Sequence, residues 1–304
     1  MYERRPRHRV RRAAVTSVAA VLAGVAALTG CTAGPDGGAR STSTTRSPSP
    51  AAAPAWDAGP ASLAAVGDSI TTGFDACSVL ADCPEVSWAT GTDGAVRSLA
   101  VRLLGAAGAA SHSTNHAVSG ARIAQLPEQM ALAAKERPEL VTVMIGANDA
   151  CRDSVRLMTP VADFRASFEA SLRQLRATAP RAQVYVSSVP DLMRLWSTGR
   201  KNPLGKEVWK LGICRSMLQD ADDMGAAAVA RREAVRQRVV AYNGVLRDVC
   251  AGYARCRYDG GAVFDYRFTG EQLSPWDWFH PGRDGQARLA EIAYRAVTAA
   301  GPPA

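Results

Sequence analysis

Two rhythms of apolar and polar residues divide the chain. Short apolar runs over residues 63–66, 140–145 and 183–189, bounded by glycine, proline or polar turns, read as strands, and residues 112–118 as a further short strand that delivers Gly120. Between and after them, residues 94–104, 123–135, 164–177, 226–253 and 284–299 space their apolar groups as helices do. Residues 263–268 are expected as an edge strand. This alternation predicts an α/β fold with a parallel sheet covered on both faces. One stretch breaks the pattern: residues 191–223 carry Met193, Leu195, Trp196, Leu204, Val208, Trp209 and Leu211, unusually apolar for a loop. Trp196 and Trp209 are expected to border a substrate pocket, packing against the body being the alternative. The long helix over 226–253 is expected to cover the sheet. No internal repeat appears.

Length and composition fit one sizeable domain or two small ones: 304 residues, 47% of them apolar. The net charge of +8 is unevenly placed, because residues 1–54 hold eight arginines against Glu3 and Asp36. The remainder is close to neutral, so nucleic-acid binding loses its main support. Arg4 to Arg12 form a positive region before an apolar run over residues 13–28, too short for a comfortable membrane span. That layout is a signal peptide. Its end, Leu28-Thr29-Gly30-Cys31, resembles the bacterial lipobox, which implies lipidation of Cys31; plain secretion with cleavage nearby is the alternative. Arg11-Arg12 raises twin-arginine export, although the flanking residues match that signal poorly. Residues 32–55, rich in Ser, Thr, Pro, Ala and Gly, cannot bury a core and read as a flexible tether. The expected division is therefore a signal peptide over 1–31, a linker over 32–55 and a globular domain over 56–304.

Cysteine usage points the same way. Beyond Cys31 there are six cysteines, an even count that in an exported domain suggests disulfides. The close pairs Cys77/Cys83 and Cys250/Cys256 favour local bridges, leaving Cys151 with Cys214. A zinc site lacks a Cys-x-x-Cys pair and further ligands.

Candidate chemistry gathers at four places. The run over 63–66 ends in Gly67-Asp68-Ser69-Ile70, a tight turn that delivers a serine where a parallel sheet collects its ligands. Downstream lie Asn115-His116-Ala117-Val118-Ser119-Gly120, Gly146-Ala147-Asn148-Asp149 and Asp277-Trp278-Phe279-His280-Pro281. In this order the four resemble the sequence blocks of the SGNH (GDSL-type) hydrolase family, with Ile70 where the family's name motif has Leu. The resemblance runs from about Leu63 to the C-terminus and implies a flavodoxin-like, three-layer α/β/α sandwich. It also implies a serine esterase or lipase working through an acyl-enzyme, with Ser69, His280 and Asp277 as the triad. The implied oxyanion hole is the N–H of Ser69, the amide of Gly120 and the side chain of Asn148.

Elementary chemistry agrees. A serine hydroxyl needs an imidazole to take its proton, and the domain holds only His112, His116 and His280. Asp277 lies three residues before His280, close enough to curl back onto the ring, although a backbone carbonyl orients the histidine in some members of the family. His112 and His116, in or beside a strand, are expected to be structural, as are Asp68 and Asp149. No metal or organic cofactor is expected. The expected partners are an ester substrate, acyl lipid or small ester, and a membrane reached only through the N-terminal lipid. The protein is expected to be monomeric, and exported to the outer face of the cell membrane or secreted. The rival readings are a carbohydrate O-acetylesterase and a catalytically silent surface-binding lipoprotein. A phosphate-binding turn at Gly67-Asp68-Ser69 would call for a Gly-rich loop and a nearby Lys or Arg, and residues 63–75 have neither.

Overall fold

Five short parallel strands carry the architecture: β1 (Leu63–Gly67), β2 (Ser113–Asn115), β3 (Leu140–Met144), β4 (Gln183–Val186) and β5 (Cys256–Tyr258), in spatial order β2-β1-β3-β4-β5. The computed structural model of the chain describes residues 56–303. The expected signal peptide, Cys31 and the tether lie outside the described residues. Every residue of β1, β3 and β4 is buried, which explains their near-continuous apolar sequences.

The helices are α1 (Ser69–Thr72), α2 (Leu99–His112), α3 (Leu126–Lys135), α4 (Ala147–Ala150), α5 (Val161–Thr178), α6 (Leu192–Gly199), α7 (Pro203–Trp209), α8 (Arg215–Leu218), α9 (Ala226–Ala251), α10 (Ala262–Asp265) and α11 (Arg283–Thr298). The step from β1 to β2 runs opposite to the steps from β2 through β3 and β4 to β5. With right-handed crossovers, that reversal sends α2 to one face and α3, α5 and α9 to the other. The contacts agree: α5 packs beside both α3 and α9, while α11 packs on α2. Phe164 of α5 stacks on Tyr242 of α9 with ring centroids 4.1 Å apart. The result is the three-layer sandwich, with the flavodoxin-like strand order and its switch point between β1 and β3.

Several elements differ from the sequence expectation. The edge strand is β5, not residues 263–268, which instead hold α10. Its central residue, Arg257, is buried and donates to the carbonyls of Ala296 and Ala299 at the end of α11, the helix end that attracts a cation. The segment 191–223 is not a loop but contains α6, α7 and α8. Helix α2 starts at Leu99, capped by the Ser98 hydroxyl, because Asp93 folds residues 93–96 into a turn through the N–H groups of Ala95 and Val96. Three disulfides close: Cys77–Cys83 and Cys250–Cys256, the two pairs that spacing favours, and Cys151–Cys214, the pair that remains. Among the described residues no helix is long and apolar enough to cross a membrane.

The strand end that matters most is Gly67. It has φ +154°, and a Cβ there would lie 2.3 Å from the Met144 carbonyl oxygen on the neighbouring strand. Gln129 of α3 grips both its backbone groups, accepting from the N–H at 2.8 Å and donating to the carbonyl at 2.9 Å. Gly67→Ala is therefore expected to lower stability by roughly 3 kcal/mol. Urea unfolding measures it, and a change below about 0.5 kcal/mol would contradict this reading of the turn.

Candidate active site

The switch point brings the ends of β1 and β3 to opposite sides of one crevice. Ser69 opens α1 directly after β1, and Asn148 lies in α4 just after β3. Asp68 caps α1: its Oδ1 accepts the Ile70 N–H at 3.0 Å. Ser69 is thus held with its own N–H in the first turn of α1, where a helix leaves donors without intrahelical partners.

The third contributor arrives from the far end of the chain. The loop before α11 sets His280 Nε2 2.9 Å from Ser69 Oγ, while His280 Nδ1 meets Asp277 Oδ2 at 2.5 Å. The other Asp277 oxygen accepts the N–H groups of Phe279 and His280, each at 2.9 Å. Trp278, between Asp277 and Phe279, takes a left-handed conformation (φ 52°), which lets the loop fold back on itself. Gln286 on α11 fixes the loop's helix against the nucleophile turn, donating to the Ile70 carbonyl and accepting from the Trp88 N–H. Phe74 meets the imidazole edge-on, with centroids 5.2 Å apart.

The electrostatics follow from burial and pairing. Burial pushes the Asp277 carboxyl up, but the His280 charge, its hydrogen bond and the two backbone donors outweigh that and hold it below the ordinary value. Burial pushes His280 down, and the Asp277 charge and hydrogen bond, with smaller effects from Asp68 and Asp75, raise it above the usual imidazole value. Asp68 is different: burial pushes it up to about 7, and its Oδ2 has no partner among the described residues.

Of the expected oxyanion groups, Asn148 faces the same cavity as Ser69 and His280, and its Nδ2 donates to the Ala121 carbonyl at 3.1 Å. Gly120 sits at an exposed turn closed by Ala121 N–H to Val118 O at 3.0 Å, with φ 80°. It does not line the cavity. That turn is tied to α1 through the Ser119 and Thr72 hydroxyls, 2.9 Å apart. Asp149 is a scaffold group, accepting the Ile123 N–H and the Thr159 hydroxyl. His116 pairs with Glu136 at 3.0 Å, and neither it nor His112 lines the cavity.

The expectation for Trp196 and Trp209 is corrected. Both are buried and both indole N–H groups are spent on backbone, Trp196 on Ala221 O at 3.1 Å and Trp209 on Asp277 O at 2.7 Å. Neither lines the cavity; Trp209 instead pins the Asp277 loop from behind. The cavity wall comes from their neighbours Leu192, Leu195 and Ile213, with Phe279 and the Cys151–Cys214 bridge. No residue type or spacing marks Ile213 in the sequence, and helical periodicity in 192–199 is the only signal that could have turned Leu195 inward and Arg194 outward. The cavity is small, about 90 Å³; larger depressions beside α7 and along α9 contain neither Ser69 nor His280. One oxygen each of Asp75 and Asp277 and one ring nitrogen of His280 lie within 4.8 Å of one another, but both nitrogens of that ring are already engaged.

A buried serine and carboxylate with a half-buried imidazole between them at these distances form the geometry of a serine hydrolase. The profile of the GDSL-like lipase/acylhydrolase family matches residues 65–288, and the chain belongs to that family, as a hydrolase of carboxylic ester bonds. Solved structures similar to it include an extracellular lipase from Streptomyces rimosus, at 18% identity over 78% of this chain and 99% of that one, with a TM-score of 0.42. A phospholipase A1 from Streptomyces albidoflavus is 22% identical over 78% of this chain and 99% of that one, with a TM-score of 0.42. A family 3 carbohydrate esterase from Clostridium thermocellum is 15% identical over 77% and 93%, with a TM-score of 0.47. No curated protein sequence matches the chain.

Asp68 yields a pH prediction. Its folded-state value, about 7, lies above the ordinary 3.8, so the folded chain holds this proton more tightly than the unfolded chain. Stability is then lost as pH rises through that window. Asp68→Asn, which keeps the cap on Ile70, is expected to gain an advantage in unfolding midpoint that widens between about pH 5 and about pH 8. An advantage that is the same at both would contradict the assignment.

Proposed function

We propose that the chain is an exported serine esterase that cleaves esters of short acyl groups through an acyl-enzyme on Ser69. The single observation that carries the reading is the 2.9 Å contact of Ser69 Oγ with His280 Nε2, backed by Asp277 at 2.5 Å on the other nitrogen. As Ser69 Oγ attacks the ester carbonyl carbon, its proton passes to His280 Nε2 and the carbonyl oxygen takes the negative charge. The Ser69 N–H and the Asn148 amide are the donors that would hold this oxyanion, and Gly120 shapes the turn beside them. His280 then returns the proton to the leaving alcohol, and the acyl group stays on Ser69. Water repeats the sequence: it gives a proton to His280, attacks the acyl carbon and frees the acid, and Ser69 recovers its hydrogen. Asp277 keeps one tautomer and steadies the imidazolium.

The acyl length follows from space. A cavity of about 90 Å³ is smaller than the roughly 150 Å³ that accommodates a benzene ring, so it suits an acyl group of only a few carbons. The same size favours a second reading, removal of O-acetyl groups from carbohydrate, over the hydrolysis of long-chain lipids. Residues 1–31 are assigned as an export signal with Cys31 as the lipid-bearing residue, residues 32–55 as the tether and residues 56–304 as the hydrolase domain. Three disulfides support an oxidising destination.

The test is hydrolysis of p-nitrophenyl esters from acetate to palmitate by the chain and by its Ser69→Ala variant. Turnover is expected to be highest at acetate to butyrate, to fall steeply with longer chains, and to vanish in the variant. A palmitate optimum would overturn the short-acyl assignment. Full activity without Ser69 would overturn the mechanism. Inactivity of the folded native chain on every ester would favour a binding protein.

A further inference from the structure

His280 has a second buried aspartate beside it. The loop between α1 and the Cys77–Cys83 bridge carries Asp75, which is 1% exposed and has an oxygen within 4.8 Å of both an Asp277 oxygen and a His280 ring nitrogen. Its position is fixed from every side. Asp75 Oδ1 accepts the Leu80 N–H at 2.5 Å and its N–H donates to the Ala81 carbonyl at 3.0 Å. Its carbonyl accepts the Ser274 hydroxyl at 2.7 Å, and the Ser274 N–H donates to the His280 carbonyl at 2.8 Å. The residue itself takes a left-handed conformation (φ 57°), one that aspartate tolerates better than most side chains.

Resting on the esterase reading, we infer that Asp75 is a second carboxylate serving His280, acting with Asp277 to stabilise its protonated form. The argument is electrostatic. Two carboxylates this close repel each other, and burial weakens the screening that water would give. Transfer of the Ser69 proton to His280 puts a positive charge beside both and relieves that repulsion at the moment the nucleophile forms. The charged groups facing His280 are Asp277 from its own loop, Asp68 from the end of β1 and Asp75 from the loop after α1. The directions agree, since burial and then the Asp277 charge raise Asp75, and Asp75 in turn helps to raise His280. A purely structural Asp75 would steady the loop without touching the titration of the imidazole.

The experiment compares the pH dependence of kcat/KM on p-nitrophenyl acetate for the native chain and Asp75→Asn, which keeps the oxygen that accepts the Leu80 N–H. The acid limb is expected to move down by about one pH unit, with a plateau loss of up to roughly tenfold. An unmoved acid limb in an active, folded variant overturns the inference whatever happens to the plateau. Inactivity of the native chain itself would instead count against the esterase reading. A second measurement needs no substitution: side-chain carboxyl 13C and imidazole NMR titration of the native protein. A shared inflection of Asp75 and His280 is expected, and independent single inflections would overturn the coupling.

Discussion

The structure turns on one buried negative charge. Asp277 is 1% exposed, and a carboxylate so far from water persists only if its oxygens are filled. One oxygen takes the His280 ring and the other takes two backbone N–H groups of the same loop. Meeting that demand fixes the loop, and the loop fixes the imidazole at hydrogen-bonding distance from Ser69. The surroundings serve the same end. Trp209 holds the Asp277 carbonyl, and α6 approaches so closely that a Cβ on Gly199 would lie 2.1 Å from the Trp278 carbonyl oxygen. The segment 191–218 thus buttresses the base on one side and walls the acyl cavity on the other.

The sheet supplies the other half of the site. Reversal of strand order at β1 leaves a crevice between β1 and β3, and the two residues that follow those strands, Ser69 and Asn148, face each other across it. A glycine with positive φ stands at each strand end: Gly67 closes β1 where the Met144 carbonyl comes too close for a side chain, and Gly146 lies just past β3 where the side chains of Val189 and Phe164 crowd it. The Cys151–Cys214 bridge then ties α4 to the start of α8, so the wall opposite Ser69 is covalently attached to the element that carries Asn148.

Much of this was legible in the sequence, and the reasons are physical. Strands buried on both faces are nearly continuous in apolar residues, so β1, β3 and β4 stand out, and the four motif blocks fall at the ends of β1, β2 and β3 and in the last loop. What stayed hidden depends on tertiary partners. Strand β5 reads as Cys-Arg-Tyr, and its arginine makes sense only once the carbonyls at the end of α11 are seen. The helices of 191–223 are short, and with Leu204 and Leu211 in water only residues 192–199 keep a helical period. Trp196 and Trp209 carry a large apolar surface that suggested a pocket, yet an indole N–H also needs an acceptor, and both found theirs in the interior. Asp75 had no motif at all; only the folded chain brings it beside an imidazole more than two hundred residues away.

The central claim is that Ser69 carries the acyl group during turnover. Rapid quenching of the native chain with p-nitrophenyl acetate in steady state, followed by peptide mass spectrometry, tests it directly. A single acetyl group on the peptide containing Ser69, and absent from the Ser69→Ala variant, is the predicted result. Hydrolysis that proceeds with no acetyl on that peptide, or with the label on another residue, would contradict the account.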